Sequence, residues 1–67
     1  MLKGGYFEYK GTHPMLDYGM VYLLTMDYDG EDLEVSVHTG LSSRMRKTYK
    51  TERDFARDWK YREDYVE

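Results

Sequence analysis

The chain contains no cysteine. This absence excludes disulfide bonds, thiolate zinc sites and cysteine nucleophiles. A secreted protein of this size usually depends on disulfides, because one small hydrophobic core gives only marginal stability. The sequence therefore predicts a protein of a reducing compartment, the cytoplasm.

Long apolar runs are also missing. Residues 1–5 lack the apolar segment of a signal peptide. The richest apolar stretch, residues 20–26, is far too short to span a bilayer. We expect a soluble protein with no membrane partner, and a length of 67 residues allows one domain, residues 1–67, with one small core.

Residues with catalytic or metal-binding chemistry are few and scattered. His13 and His38 lie 25 residues apart, and this spacing favours no metal site. Ser42 and Ser43 have no recognisable base nearby. Four acidic residues surround a predicted turn, where carboxylates are solvated, and their spacing misses the calcium-loop pattern: Asp27, Asp29, Glu31 and Asp32. We expect a protein that is not an enzyme and has no cofactor or metal.

Aromatic residues are abundant, with eight tyrosines, two phenylalanines and one tryptophan against a single alanine. Large rings fill a small core efficiently, and each tyrosine hydroxyl can still reach water. Most of these rings are therefore expected to be packing material. The alternative is that several stay exposed as anchors for a partner.

Hydrophobic patterning predicts strands first and a helix last. Strands are expected at residues 6–10, 19–27 and 43–50, with a loop at residues 11–18. A two-residue turn at Asp29-Gly30 would lead into a third strand. This turn would pair apolar residues on one face: Met26 with Leu33, Leu24 with Val35, and Tyr22 with Val37. The same register places Val21 and Leu23 on the other face, where they form a small apolar patch.

The predicted helix begins at Thr51, whose hydroxyl can cap the amide of Asp54. Its apolar stripe would contain Phe55, Ala56, Trp59 and Val66. Tyr61 and Tyr65 would lie on its exposed side. The predicted fold is α+β: a four-stranded antiparallel sheet, arranged as a meander, with one C-terminal helix packed on one face.

Charge is divided unequally along the chain. Residues 1–40 carry a net charge of −5, and residues 41–67 carry +2. The basic fourth strand, with its tyrosine, resembles a groove for single-stranded nucleic acid, and its candidate residues are Arg44, Arg46, Lys47, Tyr49 and Lys50. A sequence pI near 5.3 opposes this interpretation. A solubilising edge strand and a site for an acidic protein partner remain as alternatives.

The passage Arg46-Lys-Thr-Tyr-Lys-Thr, followed by Phe55 and Trp59, resembles short uncharacterised proteins of bacteriophages and prophages. The resemblance covers residues 46–59. It implies a phage accessory protein, a kind of protein that commonly binds a host macromolecule and redirects or inhibits it. It implies no active-site residue.

The sequence therefore predicts a non-catalytic binding protein that modulates or inhibits a host protein in the host cytoplasm. The candidate partner-binding residues are Val21, Leu23, Tyr61 and Tyr65. The patch of Val21 and Leu23 also predicts a homodimer. Direct binding of single-stranded nucleic acid is the alternative function. Mimicry of nucleic acid by the acidic turn and a structural role in a virion are further alternatives.

Overall fold

The computed structural model describes residues 3–65, which form a five-stranded antiparallel sheet and one short helix. The strands are β1 (Lys3–Tyr9), β2 (Val21–Asp29), β3 (Asp32–His38), β4 (Arg44–Tyr49) and β5 (Trp59–Tyr61), and the helix α1 (Glu52–Asp58) connects β4 to β5. The strand order is β4-β3-β2-β1-β5. The α+β class and the meander of the first four strands are confirmed.

The predicted count of four strands is one too low, because the helix is shorter than expected. Thr51 does cap α1, and its hydroxyl accepts a hydrogen bond of 3.1 Å from the amide of Asp54. The chain then becomes extended at Trp59 and pairs with β1, with Trp59 opposite Tyr9. The helical placement of the last tyrosines was therefore wrong: Tyr61 lies in β5, and Tyr65 follows it. Val66 lies outside the described residues.

The β2–β3 hairpin turns one residue later than predicted, at residues 30 and 31. Gly30 has a φ of 67°, which suits a two-residue hairpin turn with glycine at its first position. Leu24 now pairs with Val37, and Met26 pairs with Val35. The pairing partners were thus wrong by two residues. A shift of two keeps every side chain on its face, so the predicted division of the residues between the two faces is confirmed.

The core lies on one side of the sheet and contains side chains from all five strands and the β1–β2 loop: Phe7, Tyr9, Leu16, Leu24, Leu33, Val35, Val37, Tyr49 and Trp59. Helix α1 covers this side with Phe55, whose ring meets those of Phe7 and Tyr49 edge-on at 5.4 and 5.6 Å. The predicted core position of Trp59 is confirmed, since the residue is only 3% exposed.

Two tyrosine hydroxyls fix the shape of the β1–β2 loop. The Tyr9 hydroxyl accepts a hydrogen bond of 2.8 Å from the amide of His13, and the Tyr22 hydroxyl accepts one of 3.0 Å from the amide of Asp17. Gly11 packs so closely on the Tyr9 ring that a Cβ there would lie 2.5 Å from the hydroxyl oxygen. The loop is therefore held by specific contacts with strands β1 and β2.

Within residues 3–65, no helix has the length and apolar character needed to cross a membrane.

Candidate binding surfaces

The antiparallel strands give the sheet two distinct ends. The β1–β2 loop, residues 10–20, and the β3–β4 loop, residues 39–43, meet at one end, which we call the loop end. The β2–β3 turn lies at the other end, which we call the hairpin end. Because Leu23 pairs with His38, the chain leaves β3 beside the start of β2, and the two loops are neighbours.

The loop end carries four exposed, large apolar side chains: Met15, Tyr18, Met20 and Leu41. The first three are 75%, 74% and 52% exposed, and Leu41 is fully exposed. Groups of exposed, large apolar side chains on neighbouring loops are candidates for contact with a partner.

The other exposed aromatic side chains in the described part of the chain have structural partners. The Tyr28 hydroxyl donates a hydrogen bond of 2.6 Å to Glu52, which raises the pKa of Tyr28. The Tyr61 ring packs on Phe7 with centroids 5.3 Å apart. In contrast, Tyr18 makes no hydrogen bond or ring contact within residues 3–65. Among the described residues, Tyr18 therefore differs from the other exposed aromatic side chains.

Charge is also divided between the two ends. Lys10 and Asp17 are exposed in the β1–β2 loop, and Arg44 is exposed at the start of β4. The acidic residues that the sequence placed around a turn lie at the hairpin end. Asp27, Asp29 and Glu31 are exposed there, while Asp32 pairs with Lys50 at 3.0 Å. The loop end is thus the less acidic pole of an acidic protein.

Opposite α1, the sheet has a second side, which we call the outer face. Val21 and Leu23 lie on it as predicted, but both are half-buried. Tyr65 joins the same face through its ring contact with Tyr6, at 4.8 Å between centroids. Tyr61 does not, because it pairs with Phe7 and belongs to the core side. The structure therefore brings together three of the four predicted partner-binding residues.

An ion cluster borders the outer face at β1. Arg62 donates hydrogen bonds of 2.9 Å to Glu8 and to both carboxylate oxygens of Asp64. The bonds from Arg62 lower the pKa of Asp64 to about 2, and the same contacts raise the pKa of Arg62. These groups satisfy one another, so the cluster braces the segment after β5 against β1.

At its β4 side, the outer face holds a shallow groove of about 250 Å³. Its lining is mainly polar and carries both signs of charge: Thr25, Asp27, Glu34, Ser36, Arg44 and Arg46. Nearby, His38 Nε2 is shielded from solvent and has no hydrogen-bond partner within residues 3–65. The mixed charges of the groove define no single ligand.

The five candidate nucleic-acid residues are divided by the structure. Tyr49 is buried, and burial together with its hydrogen bond to Asp58 raises its pKa well above 10. Lys47 lies 3.7 Å from Asp58, and Lys50 pairs with Asp32. Arg44 and Arg46 alone are exposed together on the outer face. The ring that was expected to stack on bases is therefore part of the core.

Metal-binding groups are not assembled in the described region. No three histidine, cysteine, aspartate or glutamate side chains within residues 3–65 are grouped closely enough to hold a metal ion. His13 has a local role instead, since its Nδ1 accepts a hydrogen bond of 3.0 Å from the amide of Met15.

The exposed apolar residues of the loop end were missed by sequence reasoning. Their available signal was the occurrence of large apolar residues between glycine, proline, aspartate and serine in segments that read as loops. That signal does not distinguish Leu16, which is buried, from Met15, which is exposed.

No family model matches the chain, and no curated protein or solved structure shows significant similarity to it.

Proposed function

We propose that this protein is a non-catalytic binding module that docks on another protein through its loop end. The observation that carries the proposal is the exposure of Met15, Tyr18, Met20 and Leu41 on two neighbouring loops. Methionine and tyrosine are enriched where proteins meet, because they present large, adaptable apolar surfaces. The resemblance of residues 46–59 to phage accessory proteins favours a host protein in the cytoplasm as the partner.

The magnitude of the available energy supports such a role. Full burial of one leucine or methionine side chain contributes about 1.5–3 kcal/mol. Burial of all four side chains would therefore offset part of the free-energy cost of association, which is estimated at 4–15 kcal/mol or more. We expect moderate affinity that depends on a few anchor residues.

The proposal is tested by capture from a nuclease-treated bacterial lysate with the immobilised protein. The parent is compared with Met15→Asp/Leu41→Asp and with the control Ala56→Asp, which places a charge on the exposed side of α1. All variants should keep the circular dichroism spectrum of the parent, because these positions are exposed. We expect a discrete protein to be captured by the parent and by the control, and to be lost with the loop-end variant. Equal capture by all three would contradict the proposal.

Binding of single-stranded nucleic acid is the second candidate, because Arg44 and Arg46 are exposed together on β4. Such binding would weaken steeply with salt through counterion release, and Arg44→Glu/Arg46→Glu would abolish it. We expect no measurable binding of an oligonucleotide by the parent at physiological salt. Submicromolar binding that is lost in this variant would replace the first proposal with the second.

A further inference from the structure

We propose that β4 binds an extended acidic segment of another protein, which joins the sheet as an additional strand. This surface differs from the loop end, and binding there does not depend on the proposed function. Two observations support it: the backbone edge of β4 is open, and two arginines beside that edge, Arg44 and Arg46, have no acidic partner.

The outward edge of β4 is not paired with another strand. β4 is an end strand of the sheet, and its only neighbour is β3. Within residues 3–65, no backbone hydrogen bond reaches residues 44–49 from any other element. The far end of β4 is occupied, because the Tyr49 hydroxyl bonds to Trp59 and Asp58. The open part of the edge is therefore residues 44–47, where an extended chain can bond to the free N–H and C=O groups.

The side chains of this open edge favour acidic residues in the added strand. Arg44 and Arg46 are exposed on the outer face, and neither forms an ion pair within residues 3–65. Side chains of an added strand would lie directly beside them, at the distance where opposite charges stabilise a cross-strand pair. Asp27 and Glu34 share the groove with these arginines, but they lie on β2 and β3, farther from the open edge. The arginines are therefore the charges that an added strand meets first.

The core side of β4 indicates which residues lie between the acidic ones. Met45 and Lys47 lie on this side, and both are half-buried. The charge of Lys47 is partly balanced by Asp58, which lies 3.7 Å away. A side chain added beside Met45 would therefore meet an apolar neighbour. Because successive side chains of a strand lie on opposite faces, the expected segment alternates acidic and apolar residues.

Two other occupants fit this edge less well. A second copy of the chain would have to pair through β4 or β5, and both strands carry exposed cations: Arg44, Arg46 and Lys60. Like charges on paired edges repel, and this repulsion commonly keeps copies of a protein apart. Single-stranded nucleic acid could contact the arginines, but it could not continue the backbone ladder, and the Tyr49 ring is buried away from its bases. Both occupants are outcomes of the test.

The test uses a synthetic peptide of the length of β4 in which glutamate and valine alternate. Its binding is measured by NMR titration of the isotope-labelled protein, and hydrogen exchange of the β4 amides is then followed at saturation. The outward amides should exchange rapidly in the free protein and on the order of 10-fold more slowly with the peptide bound. A peptide of the same sequence with N-methylated amides should not bind, because it cannot donate to the edge. A peptide with all glutamates before the valines should bind less tightly.

Two protein variants test the role of the arginines. Arg44→Glu/Arg46→Glu reverses both charges and should weaken binding of the alternating peptide on the order of 10-fold. Lys10→Glu/Arg53→Glu is the matched control, since it makes the same change in net charge at exposed positions away from β4. It should remain within about 2-fold of the parent at physiological salt, because screening weakens distant charges. Both variants should keep the circular dichroism spectrum of the parent.

Four results would overturn the inference. Unchanged exchange of the β4 amides at a peptide concentration of about 1 mM would show that the edge accepts no strand. Equal weakening by the two charge variants would show a general effect of net charge. Tighter binding of oligothymidylate than of the peptide at physiological salt would identify nucleic acid as the occupant. Slowed exchange of the β4 amides in concentrated protein without peptide would identify a second copy of the chain.

Discussion

The indole Nε1 of Trp59 donates a hydrogen bond of 3.0 Å to the hydroxyl of Tyr49. These residues belong to β5 and β4, which form the two opposite edges of the sheet. Their side chains can meet only if the sheet curls around the core, so this bond joins its two edges. The Tyr49 hydroxyl also donates a bond of 2.9 Å to Asp58. The outer face, with Val21 and Leu23, is therefore the convex side of the sheet.

Trp59 should be the side chain on which stability depends most. Trp59→Ala removes a large buried ring and should cost about 3–5 kcal/mol, which is close to the whole stability expected for a core of this size. Trp59→Phe keeps an aromatic ring and loses the donor to Tyr49, so it should cost less. Urea denaturation followed by circular dichroism measures both. A Trp59→Ala variant whose urea midpoint lies close to that of the parent would contradict the central position of Trp59.

Stability should fall in alkaline solution because of Tyr49. Its pKa in the folded protein is well above 10, chiefly through burial and then through the bond to Asp58. Above pH 10 the unfolded chain therefore holds fewer protons than the folded one. The contribution is fully present below pH 10 and is lost as the pH rises toward the folded pKa, with a slope of up to about 1.4 kcal/mol per pH unit.

The control for this prediction is Tyr49→Phe, measured by urea denaturation across the same pH range. All other ionisable groups are the same in the two proteins, so the difference between the two curves isolates Tyr49. The variant should be less stable at neutral pH, because Asp58 and the Trp59 indole lose their shared partner. Parallel curves above pH 10 would show that Tyr49 ionises as readily in the folded protein as in the unfolded chain.

Gly11→Ala should disturb the loop end through Tyr9. The added methyl group would lie 2.5 Å from the Tyr9 hydroxyl, which must then move away from the amide of His13. Overpacking of this kind usually costs about 1–3 kcal/mol. Gly40→Ala is the control, because a Cβ there meets Ser43 at an ordinary 3.6 Å. Thermal melts that place the two variants at the same temperature would count against the close packing of Gly11.

Self-association through Val21 and Leu23 stays a prediction, and the structure reduces its expected strength. The two side chains are half-buried on a convex surface, so a second copy would cover little additional apolar area. A contact this small is expected to have a dissociation constant in the millimolar range. We therefore expect the parent to sediment as a monomer at a concentration of about 100 μM. A parent dimer that Leu23→Asp converts into a folded monomer would show that this patch pairs copies of the chain.

The sequence could predict the parts of the fold that depend on local pattern. Alternation in β2 and β3 assigned Leu24 and Val37 to the core even though the turn was placed one residue early, because the faces repeat every two residues. The cap at Thr51 could be predicted because it also depends on a local pattern. The end of α1 could not be predicted, since Phe55 and Trp59 are spaced as on a helix. Pairing with β1, which is distant in sequence, decides the outcome there.

The candidate site was less predictable than the fold. Met15, Leu16 and Leu41 all lie in loops and are all apolar, yet only Leu16 enters the core. Their exposure is set by the course of two loops, which depends on contacts such as that between Tyr9 and His13. Tyr49 was also misassigned to a binding surface. Its position on β4 was correct, but its hydrogen bonds to Trp59 and Asp58 form only in the assembled core.

Contact between the loop end and a protein partner is tested most directly by site-specific photocrosslinking. A photoreactive phenylalanine analogue is placed at Leu41 in one variant and at Glu31, exposed at the hairpin end, in another. Each variant is irradiated in a bacterial lysate, and its adducts are separated by gel electrophoresis. We predict one discrete protein adduct from position 41 that is absent from position 31. The same adduct from both positions, or an adduct from position 31 alone, would contradict the account.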